Sequence, residues 1–329
     1  YISEGDDGSL DVIAAFEEAY PNIRVQYSTY DSNEIMYSKL SNGGITVDVI
    51  IPSDYMIGRM VQEGMLEELN FSNIPNYQYI DDSFKNTSYD PENKYSVPYT
   101  WGTVGIIYNT KYVDEADVTG WELLWNEKYA GKILMFDNSR DAFGIAEYLL
   151  GYDVNTTDKG QIREAFELLK NAKDQGVYQA FVMDQVFQKM EGGNAAIAMY
   201  YAGDYLSMYD NNPDLKYVIP KEGSNWFVDA MCVLKDAKNK TEAEEWINFI
   251  ASTESSLANM DYIGYASPNT EALEGYPAYY EETYGEPLDE ERYEIMAAPD
   301  DVLARCELYT NLPADTLTLY NDLWTELGI

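Results

Sequence analysis

Apolar positions recur at two spacings along this chain, and the switching between them outlines its architecture. Leu10, Ile13, Ala14 and Phe16 fall on one helical face behind an acidic, Gly-containing turn, and Tyr20-Pro21-Asn22 ends that helix. Ile23, Val25 and Tyr27 then alternate as a strand. Residues 34–40 predict a second helix, closed by Ser41-Asn42-Gly43-Gly44, and residues 47–51, apolar but for Asp48, form a run suited to a buried parallel strand. Helix, strand, helix, strand implies an α/β sheet with right-handed crossovers, in which ligands sit beyond the carboxyl ends of the strands. Pro52-Ser53-Asp54-Tyr55 and Asp137-Asn138-Ser139-Arg140-Asp141 both lie at such ends.

Further on, residues 95–108 read as a long, Gly-punctuated extended segment able to cross between lobes. Residues 121–132 predict a helix leading into an apolar strand at 133–136, followed by helices at 143–150, 159–175 and 183–190 and a strand at 195–201. Ser224-Asn225-Trp226-Phe227-Val228-Asp229-Ala230-Met231 is the return crossing. Beyond it come a helix at 242–251, a loop at 263–269, an acidic, Tyr-rich stretch at 276–295 made of surface connection and helix, and a last helix at 316–327.

Length makes two lobes the default, since 329 residues exceed what one core usually supports. Charge then narrows the partners. Lys and Arg total 21 against 58 Asp and Glu, a net −37, which argues against nucleic acid and anionic membranes and favours cationic ligands. There is no histidine, which removes Ser-His-Asp and Cys-His catalysis and every His-bearing metal site. Cys232 and Cys306 make no metal pattern and could be a disulfide or two buried thiols. No apolar run of about 18 residues is present, and no signal peptide is visible; opening at Tyr1, the chain is expected to be a mature or trimmed form.

The candidate chemistry centres on the return crossing. In a strand, side chains two apart share a face, so Phe227 and Asp229 point the same way. An aromatic wall beside a fixed carboxylate suits an organic cation, while the plainer reading is a buried strand with Asp229 opening a turn. Similarly, Ser53 or Asp54 could simply cap the following helix, and Asp141 could simply place negative charge in a first helical turn.

Three stretches resemble a known family: residues 27–40, Tyr-Ser-Thr-Tyr-Asp-Ser-Asn-Glu-Ile-Met-Tyr-Ser-Lys-Leu; residues 48–55, Asp-Val-Ile-Ile-Pro-Ser-Asp-Tyr; and residues 95–102, Tyr-Ser-Val-Pro-Tyr-Thr-Trp-Gly. These, with Trp226-Phe227-Val228-Asp229 and Ile263-Gly264-Tyr265-Ala266-Ser267-Pro268-Asn269, are similar to the spermidine/putrescine-binding proteins of bacterial ABC importers, in colinear order over nearly the whole chain. The pattern at Trp121–Trp125 with Tyr129-Ala130-Gly131-Lys132 is shared more widely among solute-binding proteins.

The resemblance implies a type II, two-lobed periplasmic-binding-protein-like α/β fold with crossing strands as the hinge, one lobe from residues 1–102 and 228–273 and the other from 103–227 and 274–329. It implies a polyamine held in the interlobe cleft and delivered to membrane permease subunits, by a monomer lying outside the cytoplasm, periplasmic or lipid-anchored. The implied ligand groups are Ser53, Tyr55, Asp141, Tyr201, Phe227, Asp229 and Tyr265, with Tyr1, Asn138 and Thr310 as further candidates, and no catalytic residue, metal or cofactor. Departures fall at Asn138, where the family often has an acid, at Tyr201 and Phe227, where it often has Trp, and at Thr310 in place of a Gln. Burying an ammonium costs several kcal/mol unless a carboxylate replaces its water, and aromatic faces can return about 2 kcal/mol. The alternatives are a binding protein for a sugar, a quaternary ammonium or ferric ion, and a two-lobed enzyme using paired carboxylates.

Overall fold

A computed structural model describes residues 2–5 and 9–329, which leaves the Tyr1 candidate outside the described residues. Its strands are β1 (Val49–Ile50), β2 (Ser96–Asn109), β3 (Ile133–Phe136), β4 (Tyr178–Val182), β5 (Ile197–Tyr201), β6 (Leu215–Val218), β7 (Ser224–Val233) and β8 (Cys306–Glu307). The chain divides into two compact units, Tyr1–Gly102 with Phe227–Ala297 and Thr103–Trp226 with Ala298–Ile329. Both β2 and β7 run from one unit into the other.

In the first unit β1 pairs antiparallel with the end of β7, Val49 opposite Val233 and Ile50 opposite Cys232. The pairing is thus not the parallel one that the opening pattern predicts. Residues 23–27 belong to no strand either: a ladder needs a partner, and the Val25 N–H donates instead to the Glu17 carboxylate at 2.9 Å. The helix Val12–Ala19, capped by Asp11, sends Phe16 against Trp246 and Phe249. Val12, Ile74, Val97, Tyr99, Met231, Val233, Ile247 and Ile250 form the core that results.

In the second unit β2 lies between β5 and β6, antiparallel to both, and β3 runs parallel to β4 and β5. All four residues of β3 are buried, as expected for a strand covered on both faces. The helices Ser139–Leu150, Lys159–Asp174 and Ala314–Leu327 pack together in this unit. Residues 121–132 are not the continuous helix that their pattern predicts. Trp121–Trp125 and Glu127–Tyr129 are separate 3₁₀ turns, because Asn126 adopts an extended conformation and turns its side chain to cap the second.

The strand β4 went unread, and the second segment of the first unit runs from Phe227 on to a later boundary at Ala297. The physical reason for the later boundary is the helix Thr270–Tyr284: Tyr276 and Tyr284 both donate to the Asp261 carboxylate, at 3.0 and 2.8 Å, tying it to the first unit. Cys232 and Cys306 are buried free thiols.

One buried carboxylate organises the entry to β2. Asp90 accepts from the N–H groups of Lys94, Tyr95 and Ser96 and from the Ser96 hydroxyl, at 2.9 to 3.0 Å. Asp90→Ala leaves four donors without their acceptor, so thermal unfolding should report a loss on the order of 3 kcal/mol. An unchanged melting temperature would refute that role.

Candidate functional site

The first unit builds its candidate residues on a turn sewn to a strand. Asp54, 1% exposed, accepts from its neighbour's N–H, Tyr55, through Oδ1 at 2.6 Å and from the Val228 N–H through Oδ2 at 3.0 Å. The Ala230 N–H donates to the Pro52 carbonyl at 3.1 Å, and Ser53 and Asp229 face each other as an antiparallel bridge. With Val228 and Ala230 fully buried, strand alternation puts Phe227 and Asp229 on the opposite, half-buried face. That matches the shared face predicted from spacing.

On that face the Ser53 hydroxyl donates to Asp229 Oδ1 at 2.6 Å. Burial pushes the Asp229 carboxyl up to about 6, and the Ser53 hydrogen bond pulls against that rise. The sign follows from linkage: a carboxyl raised by folding favours the fold while protonated, and that contribution is lost as the pH rises through about 6. A cation beside Asp229 would restore it.

Aromatic walls accompany the carboxylate. The Phe227 and Tyr265 rings meet at 6.0 Å with planes 63° apart, an edge-to-face contact. The loop bearing Tyr265 is anchored through the Ala266 carbonyl, which accepts from the Trp101 N–H and the Thr100 hydroxyl, both at 3.0 Å. Tyr55 donates its phenol to Glu34 Oε1 at 2.8 Å.

The second unit contributes a separate group. Asn138 caps the helix Ser139–Leu150, its Oδ1 accepting from the Arg140 N–H at 2.9 Å and more weakly from Asp141. Asp141, 5% exposed in the first turn, accepts from the Tyr201 hydroxyl at 3.0 Å. Tyr201 also packs on Phe136, ring centroids 4.9 Å apart. Thr310 is tied by its N–H to Asn155 Oδ1, which also accepts from the Arg140 guanidinium. That guanidinium lies 4.3 Å from the Tyr309 ring centre.

The structure therefore joins Ser53 with Asp229, Phe227 with Tyr265, and Asp141 with Tyr201, while Asn138 turns its carbonyl to the helix end. A cavity of about 460 Å³ elsewhere in the second unit, lined by Ile106, Gly120, Pro220, Lys221 and Arg305 among others, includes none of these residues. Among the described residues no group of three or more His, Cys, Asp or Glu is placed to hold a metal ion. Sequence reasoning missed Asn33, Glu34 and Asp54 as partners of the candidate residues. Asn33 and Glu34 stood at a helix start next to a Ser, a signal for capping alone.

Comparison with known proteins adds independent findings. The family model for bacterial extracellular solute-binding proteins matches residues 11–285. A spermidine/putrescine-binding periplasmic protein of Salmonella typhimurium is 35% identical over 251 residues, covering 76% of this chain and 72% of its own. Among solved structures, a candidate spermidine/putrescine ABC transporter protein of Listeria monocytogenes aligns with a TM-score of 0.88 and 36% identity, over 98% of this chain and 97% of that one. The spermidine/putrescine substrate-binding protein PotD of Streptococcus pneumoniae, solved with calcium and HEPES, gives 0.78 and 36%, over 96% and 94%.

A close approach at Gly102 tests the aromatic pair. A Cβ there would stand 2.9 Å from the Tyr265 ring and 3.1 Å from Phe227. Gly102→Ala should displace both rings and lower stability by about 1 to 3 kcal/mol in thermal unfolding. Wild-type stability for this variant would mean that the rings are not held as described.

Proposed function

The chain belongs to the bacterial extracellular solute-binding protein family, and from that premise we propose that it binds a polyamine, spermidine or putrescine, and delivers it to the permease of an ABC importer. The observation that carries the reading is Asp229, a carboxylate raised to about 6 on a half-buried strand face it shares with Phe227. Such a group gains most from an ammonium ion, which replaces lost water with charge pairing. Phe227 and Tyr265 offer ring faces and edges to the methylene stem between the charges. In the second unit Asp141, with Tyr201 on its Oδ2, is a further carboxylate of the kind that pairs with an ammonium group. Ser53 and Tyr55 complete the first set, and Asn138 and Thr310 support the second.

Relatives named for spermidine and putrescine support this ligand class. The chain acts by binding and release, without a reaction of its own, and works outside the cytoplasm. A net charge of −37 draws a polycation toward the protein and makes the association rate fall with salt.

Calorimetric titration of the wild-type chain with spermidine, spermine, putrescine and cadaverine is the direct test. Asp229→Asn should weaken spermidine binding by about 2 to 4 kcal/mol, and equal affinities would remove Asp229 from the site. Wild-type affinity should fall as the pH drops below about 6, because Asp229 must release its proton before it can pair with an ammonium group. Asp229→Asn should flatten that limb.

Phe227→Ala separates a ligand wall from a core residue. Being half-buried, Phe227 should cost affinity when truncated while the ligand-free melting temperature changes little. A core aromatic would instead cost about 3 to 5 kcal/mol of stability, and that result with unchanged affinity would return the strand to a purely structural role.

A further inference from the structure

Asn33 opens the helix Asn33–Ser41 and touches Ser53 twice. Its Oδ1 accepts from the Ser53 N–H at 3.1 Å, and its Nδ2 donates to the Ser53 Oγ at 3.0 Å. A backbone N–H can only donate, so the amide oxygen must face it, and this fixes the NH₂ on the hydroxyl oxygen. With one side of Oγ accepting from Asn33, the single hydroxyl proton is directed along the 2.6 Å contact to Asp229 Oδ1. While Asp229 is ionised, every link in this relay has one possible polarity, and a chain of such bonds strengthens its last member.

We propose that Asn33 is a positioning residue for the ligand carboxylate: it sets the direction of the Ser53 hydroxyl and so keeps that hydrogen bond on ionised Asp229. The inference rests on the polyamine-binding reading for its purpose, though not for its geometry. Other titratable groups surround Asp229. The Tyr30 and Tyr99 phenols sense its charge, Tyr27 and Cys232 lie in the same cluster, and burial keeps Tyr30, Tyr99 and Cys232 neutral. The neighbouring Asp54 carboxylate is engaged with Tyr55 and Val228 N–H groups. Ser53 donates a hydrogen bond that lowers a carboxyl otherwise raised by burial, and the amino-terminal charge adds a smaller lowering effect.

The test is a carbon-13 NMR titration of the Asp229 carboxyl in the full, ligand-free chain, assigned by its disappearance in Asp229→Asn. Asn33→Ala should move the Asp229 midpoint up by about 0.4 to 1 pH unit, the worth of one hydrogen bond. Ser53→Ala should move it comparably, and adding Asn33→Ala to Ser53→Ala should add nothing, because Asn33 acts through the hydroxyl. A midpoint unmoved by Asn33→Ala, or a full shift in the Ser53→Ala background, overturns the proposal. Should Asn33→Ala not fold, Asn33→Asp keeps the acceptor for the Ser53 N–H and loses the donor. Its shift must then be larger with Ser53 present than in Ser53→Ala, and equal shifts overturn the proposal. The titration needs no ligand, so failure of spermidine to bind the wild type would count against the binding reading alone.

Discussion

The buried carboxylate of Asp54 is the constraint on which the first unit's candidate residues depend. It occupies a nearly dry position, and both of its oxygens are matched to backbone N–H groups, those of Tyr55 and Val228. An unmatched carboxylate there would be costly, and a matched one is directional. By holding Val228 it fixes the pleat of β7, which turns Val228 and Ala230 inward and leaves Phe227 and Asp229 facing out. A slip of one residue would bury Asp229 and expose Val228.

Around this constraint, polar groups fall into two roles. Asp54, Asp90 and Asn269 are buried, and each bonds to backbone N–H groups. Asn138 and Asn155 do similar work in the second unit, one at a helix end and the other between Arg140 and Thr310. Asp229, Ser53, Tyr55 and Tyr201 are half-buried and bond mainly to other side chains. A side-chain hydroxyl can turn toward a ligand, whereas a backbone N–H cannot. The second group is therefore the less rigidly fixed, apart from the Ser53 hydroxyl, whose oxygen accepts from Asn33.

The sequence by itself determined the α/β class, most of the helices, the two long crossing strands and the shared face of Phe227 and Asp229. These follow from local periodicity, which the backbone geometry of helix and strand imposes directly. The sequence also carries the charge pattern behind the proposed cationic ligand, a net −37 and carboxylates set beside aromatics. The tertiary structure alone decided what depends on partners distant in sequence. Residues 23–27 alternate like a strand yet find no ladder, β1 pairs antiparallel with a segment about 180 residues away, and Trp121–Trp125 tightens into a 3₁₀ turn. Asn33 and Asp54 looked like helix-start residues, and only folding placed one on the Ser53 hydroxyl and the other on Val228. Periodicity tells a side chain which way to point, but a hydrogen bond has a range of about 3 Å, so its partner is fixed only once the whole unit has packed.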